Sequence, residues 1–279
     1  MDLPNVTQIR EIASRHGISP SKALGQNFVI DPNTIRKLIK LADIQADDLV
    51  VEVGPGLGAL TLGLSEAAAE VVGVELDRHL IPALTEIIGE RSNVSIIQSD
   101  AMTYDFSKTF DGRSHRFVSN LPYNIATPLI AGILEGHPPV RDLVVMVQAE
   151  VGERLAAPPG SRTYGSISVL IAYYCHAKIL GRVAPTVFWP PPKVDSVLLR
   201  LTRRPPAVEV DPTALMKVVR GAFSQRRKTI RNSLSSSLGL EPLAVEIALR
   251  DVGIPEGSRA EVLGLPEFAD LTKRLEGSS

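Results

Sequence analysis

Cysteine is almost missing from this chain of 279 residues: Cys175 stands alone. No internal disulfide framework can form, and a reducing, cytoplasmic setting is expected. Because Cys175 closes the apolar run Ile171-Ala172-Tyr173-Tyr174, it reads as a core residue. Long apolar runs are missing as well. No stretch approaches the ~20 apolar residues of a membrane span, and the first residues lack a basic-then-apolar signal, so no membrane partner is expected. Metal-ligand clusters are absent too. His16, His79, His115, His137 and His176 are scattered, none paired with a cysteine or carboxylate at zinc-ligand spacing, and no metal is expected.

Net charge is also lacking, at −1, which offers a polyanion no global attraction. The distribution differs from the total. Acidic residues are absent from Pro212 to Leu240, a stretch that carries Lys217, Arg220, Arg226, Arg227, Lys228 and Arg231. A phosphate backbone meets a local basic face rather than a net charge. A solvated helix surface would show the same pattern.

What the chain does have is a globular composition, 44% hydrophobic and 22% charged. Its first half alternates strand and helix. Continuous apolar runs predict strands at 48–53, 71–76, 94–98, 116–119 and 143–147, with helices over 59–69, 78–90, 128–135 and 165–176. Two more strands, 178–183 and 197–201, read as a hairpin at one edge. Seven strands of this kind imply a mostly parallel sheet covered on both faces. The proline-rich stretch 203–212 ends that pattern, and short helices are predicted over 213–223, 227–238, 242–252 and 266–275. The expected division is therefore a domain of 1–204, including an amino-terminal segment of 1–45, and a small all-α domain of 205–279.

The chemistry gathers where strands end. Gly54-Pro55-Gly56-Leu57-Gly58 follows the first strand, where a glycine-rich turn lets a nucleotide approach the backbone. About twenty residues on, Glu75 closes the second strand, placed to accept hydrogen bonds from ribose hydroxyls. Asp100 follows the third strand, where it could meet an exocyclic adenine amine. Two cofactors fit: a nicotinamide dinucleotide and S-adenosylmethionine. Pro55 removes one N–H from a phosphate cradle, and carboxylates suit a cationic sulfonium better than an anionic pyrophosphate. Asn120-Leu121-Pro122-Tyr123 follows the fourth strand. The Asn120 side-chain oxygen and Leu121 carbonyl can accept from an NH2 group, Pro122 stiffens the turn, and Tyr123 offers a stacking face. Asn-x-Pro is also ordinary turn chemistry.

The chain resembles the KsgA/RsmA-type ribosomal RNA adenine N6-dimethyltransferases. Nearly its whole length carries the likeness, in Leu24-Gly25-Gln26-Asn27-Phe28, Glu52-Val53-Gly54-Pro55-Gly56-Leu57-Gly58, Asn120-Leu121-Pro122-Tyr123-Asn124-Ile125, Phe188-x-Pro190-Pro191-Pro192-Lys193-Val194-Asp195-Ser196 and Phe223-Ser224-Gln225-Arg226-Arg227-Lys228. Val29 stands where leucine is usual and Ala126 where serine is frequent. The resemblance implies a Rossmann-like S-adenosylmethionine-dependent methyltransferase fold with a helical carboxyl-terminal domain. It implies dimethylation of two adjacent adenosines near the 3′ end of small-subunit (16S) ribosomal RNA, in an immature small subunit, by a monomer. Implied cofactor contacts are Asn27, Val29, Gly54, Gly56, Glu75, Leu76, Asp100, Ala101 and Asn120. Implied catalytic residues are Asn120, Leu121, Pro122 and Tyr123, with Phe188 as a second aromatic against the target base. Lys193 joins Arg220, Arg226, Arg227, Lys228 and Arg231 as an RNA contact. Competing readings are the large-subunit RNA dimethyltransferase of macrolide resistance, a DNA adenine methyltransferase, a ribosome-assembly factor with secondary catalysis, and a nicotinamide oxidoreductase.

Overall fold

Val50, Val51 and Val53 are all buried, as is every residue of Leu143–Val147, and strands apolar on both faces must lie between two helical layers. The computed structural model describes residues 3–21, 23–136, 139–225 and 227–277 and builds such an arrangement. It divides into one unit of 1–152 with 178–203 and another of 153–177 with 204–279.

In the first unit, α1 (Val6–Arg15), β1 (Phe28–Val29) and α2 (Pro32–Ala42) precede the main sheet. Then come β2 (Leu49–Val53), α3 (Ala59–Ala67), β3 (Glu70–Glu75), α4 (Ile81–Ile88), β4 (Val94–Gln98), β5 (His115–Asn120), α5 (Ala126–Glu135) and β6 (Val140–Gln148). After α6 (Ala149–Leu155) and α7 (Ser166–Tyr174), the chain runs through β7 (Cys175–Val183), β8 (Phe188–Trp189) and β9 (Ser196–Arg203). The seven-stranded sheet has the order β4-β3-β2-β5-β6-β9-β7. Ladders joining β2 through β6 are parallel, and β9 runs antiparallel to β6. The expected mixed edge of the last two long strands is present.

Because β2 pairs with both β3 and β5, successive crossovers diverge there and open a crevice at the carboxyl ends. The opposite end is locked by charge. Arg116 donates to Asp142 at 2.7 Å and to Asp48 at 2.8 Å, all three side chains being buried. Its remaining N–H groups reach the Ala42 and Asp43 carbonyls at the end of α2. Burial alone would raise the Asp48 pKa, but the Gln45 amide and the Arg116 and Arg141 guanidiniums hold it below its ordinary value.

The segment 1–45 holds more structure than its sequence announces. Asn5 and Gln8 form a capping box for α1, and Asp31 caps α2 with Pro32 in its first turn. Strand β1 pairs with β8, Phe28 opposite Trp189 and Val29 opposite Phe188.

The second unit contains α7 with α8 (Pro212–Ala222), α9 (Ile230–Leu238), α10 (Pro242–Asp251) and α11 (Leu265–Glu276). The four expected helices lie within three residues of their predicted bounds. A single cut at 204, however, separates groups that pack together. The Tyr164 hydroxyl donates to the Leu263 carbonyl and the Tyr173 hydroxyl to that of Val210, both at 3.0 Å. Residues 153–174 therefore pack with the helices, and 175–177 open strand β7 of the sheet. The helix expected to reach His176 stops at Tyr174, since Cys175 is already extended at φ −141°, ψ 158°. Among the described residues, no helix is long and apolar enough to cross a membrane.

Candidate active site

The turn after β2 needs glycine for two reasons. Gly54 and Gly56 have φ of +68° and +60°, in the left-handed region. A Cβ on Gly54 would lie 3.2 Å from the Pro122 ring, and one on Gly56 only 2.8 Å from the Phe28 ring. The Gly56 N–H donates to Glu75 Oε2 at 3.0 Å, and the Asp77 N–H to Glu75 Oε1 at 2.9 Å. Glu75 is 5% exposed. Burial raises its pKa, those amides oppose the rise, and neighbouring Asp77 adds to it.

A cleft of about 1100 Å³, open mouth included, follows the carboxyl ends of β2 to β5. Gly54, Gly56, Glu75 and Leu76 line it. Asp100 and Ala101 close one end, Asn27 and Val29 form one wall, and Asn120 to Tyr123 close the other end. Leu76 is 52% exposed, and Asp100 is an exposed turn residue whose Oδ1 accepts the Met102 N–H at 2.8 Å.

Asn120 carries the most pointed arrangement. Its Nδ2 donates to the Asn27 carbonyl at 2.9 Å, while its buried Oδ1 has no hydrogen-bond partner. A buried acceptor left unpaired costs about 1–3 kcal/mol, so it marks a place made for a donor. Strands β2 and β5, which carry the two loops, are tied by the Val53 N–H donating to Ser119 Oγ at 2.9 Å. Next to Asn120, the Tyr123 hydroxyl shares a 2.6 Å hydrogen bond with buried Ser196 on β9. Burial pushes the phenol pKa up, so the hydroxyl stays protonated at neutral pH.

Over residues 19–275 the chain matches the family model described as ribosomal RNA adenine dimethylase. The chain belongs to this family. It is 43% identical over 284 residues to ribosomal RNA small subunit methyltransferase A of Bacillus mycoides (strain KBAB4), covering 98% of this chain and 97% of that protein. The Bacillus cereus (strain B4264) protein of the same name is 42% identical over the same shares. Among solved structures, the fold matches a dimethyladenosine transferase from Plasmodium falciparum with a TM-score of 0.76, at 24% identity over 88% of this chain and 96% of that one. It also matches 23S rRNA methyltransferase ErmE with a TM-score of 0.68, at 26% identity over 90% and 100%.

The cleft of this adenine dimethylase fits S-adenosylmethionine and not a dinucleotide. Three acidic side chains line it, Glu52, Glu75 and Asp100, of which Glu52 stays protonated at neutral pH, and no Lys, Arg or His is among its described lining residues. Such a lining attracts a cationic sulfonium and repels a pyrophosphate. Glu52 precedes the glycine loop, where nothing in the sequence assigns it a role. It is 1% exposed, accepts from Thr61 Oγ1 at 2.6 Å, and is pushed up to about 8, first by burial and further by Glu75. Ser196 likewise stood within the Pro-Lys-Val-Asp-Ser motif without a role. Asp77 carried no motif signal at all.

Phe188 stands apart from the other expected site residues. Phe188 is 2% exposed and packs in the core with Phe28 and Val29; it does not line the cleft. It lies on β8, paired with Val29 of β1. Of the expected RNA contacts, Lys193, Arg220, Arg227 and Lys228 are exposed. Arg231 is half-buried, with Glu246 at 3.8 Å, and Arg226 lies outside the described residues.

Proposed function

We propose that this chain transfers methyl groups from S-adenosylmethionine to N6 of two adjacent adenosines near the 3′ end of small-subunit ribosomal RNA, forming dimethyladenosine. The observation that carries the reading is the Asn120 carboxamide, anchored through Nδ2 with its buried Oδ1 unpaired. Full-length likeness to proteins named for small-subunit RNA methylation supports the choice of RNA.

When bound, S-adenosylmethionine supplies an electrophilic methyl carbon on a positively charged sulfur. Glu75 would hold its ribose, the Asp100–Ala101 end its adenine, and the Gly54–Gly56 turn its close approach to the backbone. Asn120 Oδ1 and the Leu121 carbonyl accept the two N6 hydrogens of the target adenine. This holds the lone pair out of conjugation with the ring and stabilises the positive charge that grows on nitrogen. Tyr123, its hydroxyl tied to Ser196, presents its ring to the extruded base, a contact worth ~1–3 kcal/mol. The methylated nitrogen then loses a proton to solvent, so these residues need supply no base. For the second transfer one hydrogen remains for Asn120 to accept.

The helical unit, with exposed Lys217, Arg220, Arg227 and Lys228, is the RNA-docking part. The protein acts as a monomer on maturing small subunits in the cytoplasm. Incubation with labelled S-adenosylmethionine and unmethylated small subunits, followed by mapping of modified bases, tests this reading. Two neighbouring dimethyladenosines near the 3′ end are expected. Modification only in large-subunit RNA, or none, would overturn it.

A further inference from the structure

Asn120 can serve in only one of its two amide orientations. With Nδ2 on the Asn27 carbonyl at 2.9 Å, Oδ1 is the unpaired atom left to accept from an amine. Turned by 180°, the same side chain would offer two N–H donors to a group that is itself a donor. The position of one peptide oxygen therefore decides whether the site is competent.

That oxygen is held from a distance. Gln26, the residue before Asn27, is braced at both ends of its carboxamide. Its Oε1 accepts the Ser21 N–H at 2.7 Å, and its Nε2 donates to Asp77 Oδ2 at 2.8 Å, a charge-assisted bond. Asp77 is itself fixed, its N–H donating to Glu75 Oε1 at 2.9 Å and its Oδ1 accepting the His79 N–H at 3.0 Å. On the other flank the segment has no slack. Gly25 has φ +66°, and a Cβ there would lie 2.8 Å from Asn124 Oδ1 and 3.3 Å from the Tyr123 nitrogen. Polar contacts thus run without a break from Glu75, through Asp77, Gln26 and the Asn27 peptide, to Asn120.

We propose that Gln26 and Asp77 are positioning residues that fix the polarity of the Asn120 carboxamide and so join the ribose end of the cleft to its methyl-transfer end. The proposal rests on the reading of Asn120 given under the proposed function. Neither residue needs to touch the adenine of the substrate. Loss of the brace leaves Asn27 free to shift and the amide free to turn, and a displacement of about 1 Å at a reacting centre can lower a rate by about 10²-fold.

Gln26→Met keeps the side-chain length and removes both hydrogen bonds; Asp77→Ala removes only one of the two, the bond between Gln26 and Asp77. The first measurement needs neither RNA nor cofactor: hydrogen exchange of the Asn120 side-chain NH2, assigned by its loss in Asn120→Ala, followed by NMR. Exchange about tenfold faster in Gln26→Met is expected. The second is methyl transfer at saturating S-adenosylmethionine, where each variant should lose about 10–100-fold in kcat with KM for RNA unchanged, and the double variant should be no worse than either single one. Unchanged exchange with unchanged kcat, or losses that simply add, would overturn the proposal. A parent protein that methylates no adenosine would sink the functional reading instead, while the exchange comparison would still decide whether the brace holds Asn120.

Discussion

In the proposed mechanism Asn120 works through polarity rather than charge, and that separates binding from chemistry. Replacement by Ala removes an acceptor engaged when charge develops on the target nitrogen, and loss of one such group costs about 10²–10³ in rate. Asn120→Ala should therefore lose methyl transfer to that extent while its dissociation constant for S-adenosylmethionine, measured by calorimetry, changes little. Equal weakening of both would mean that the carboxamide is only part of the cofactor wall. Glu52 makes a different prediction, on stability. Its folded pKa of about 8 lies above the ordinary value of 4.5. Across that window the unfolded chain has released a proton that the folded chain retains, so stability falls as pH rises, by at most about 1.4 kcal/mol per unit, and levels off above about 8. Glu52→Gln keeps an acceptor for Thr61 and cannot ionise. Urea denaturation of the ligand-free protein should show the variant more stable than the parent at about pH 9 and similar at about pH 4. Some slope should persist, since the Glu75 pKa is raised as well.

Elements place these residues through backbone shape as much as through side chains. The second glycine of the loop admits the Phe28 ring of β1, so Gly56→Ala meets both a left-handed φ and a 2.8 Å contact. About 1–3 kcal/mol of stability should be lost, and cofactor affinity should fall at least about tenfold as β1 and the wall it belongs to are displaced. Denaturation and cofactor titration read the two effects, and full affinity would show that the wall does not bind. The sheet and the ends of its strands were legible because β2 to β5 are mainly apolar runs that end in or within two residues of Gly54, Glu75, Asp100 and Asn120 in turn. The wall was not legible. Strands β1 and β8 have two residues each and meet across about 160 positions, a length without periodicity to detect. For the same reason the burial of Phe188 had no local signal, and the Gln26–Asp77 contact none. Residues 153–174 read as part of the sheet domain because sequence order, unlike packing, gives no sign that Tyr164 and Tyr173 reach 263 and 210.

For the whole molecule, a net charge of −1 means that attraction to RNA must come from local contacts, and local contacts can be counted. Each cation that neutralises a phosphate releases counterions and contributes about 0.7 to the slope of log K against log salt on single strands, about 0.9 on a duplex. Arg227 and Lys228 are exposed side by side in a stretch without acidic neighbours in sequence, whereas Arg231 has Glu246 at 3.8 Å and is expected to contribute less. In filter binding to the 3′ region of small-subunit RNA, Arg227→Ala/Lys228→Ala should lower the slope by about 1.4–1.8 and leave kcat at saturating RNA within about twofold. Arg231→Ala should change the slope by less than half a unit, by the same arithmetic. Lys40→Ala, which removes one exposed positive charge from α2 in the sheet unit, separates place from total. If its slope falls as far per charge as that of the pair, net charge governs binding and the helical unit is a structural cap; if it stays flat, the phosphate contacts reside at 227 and 228.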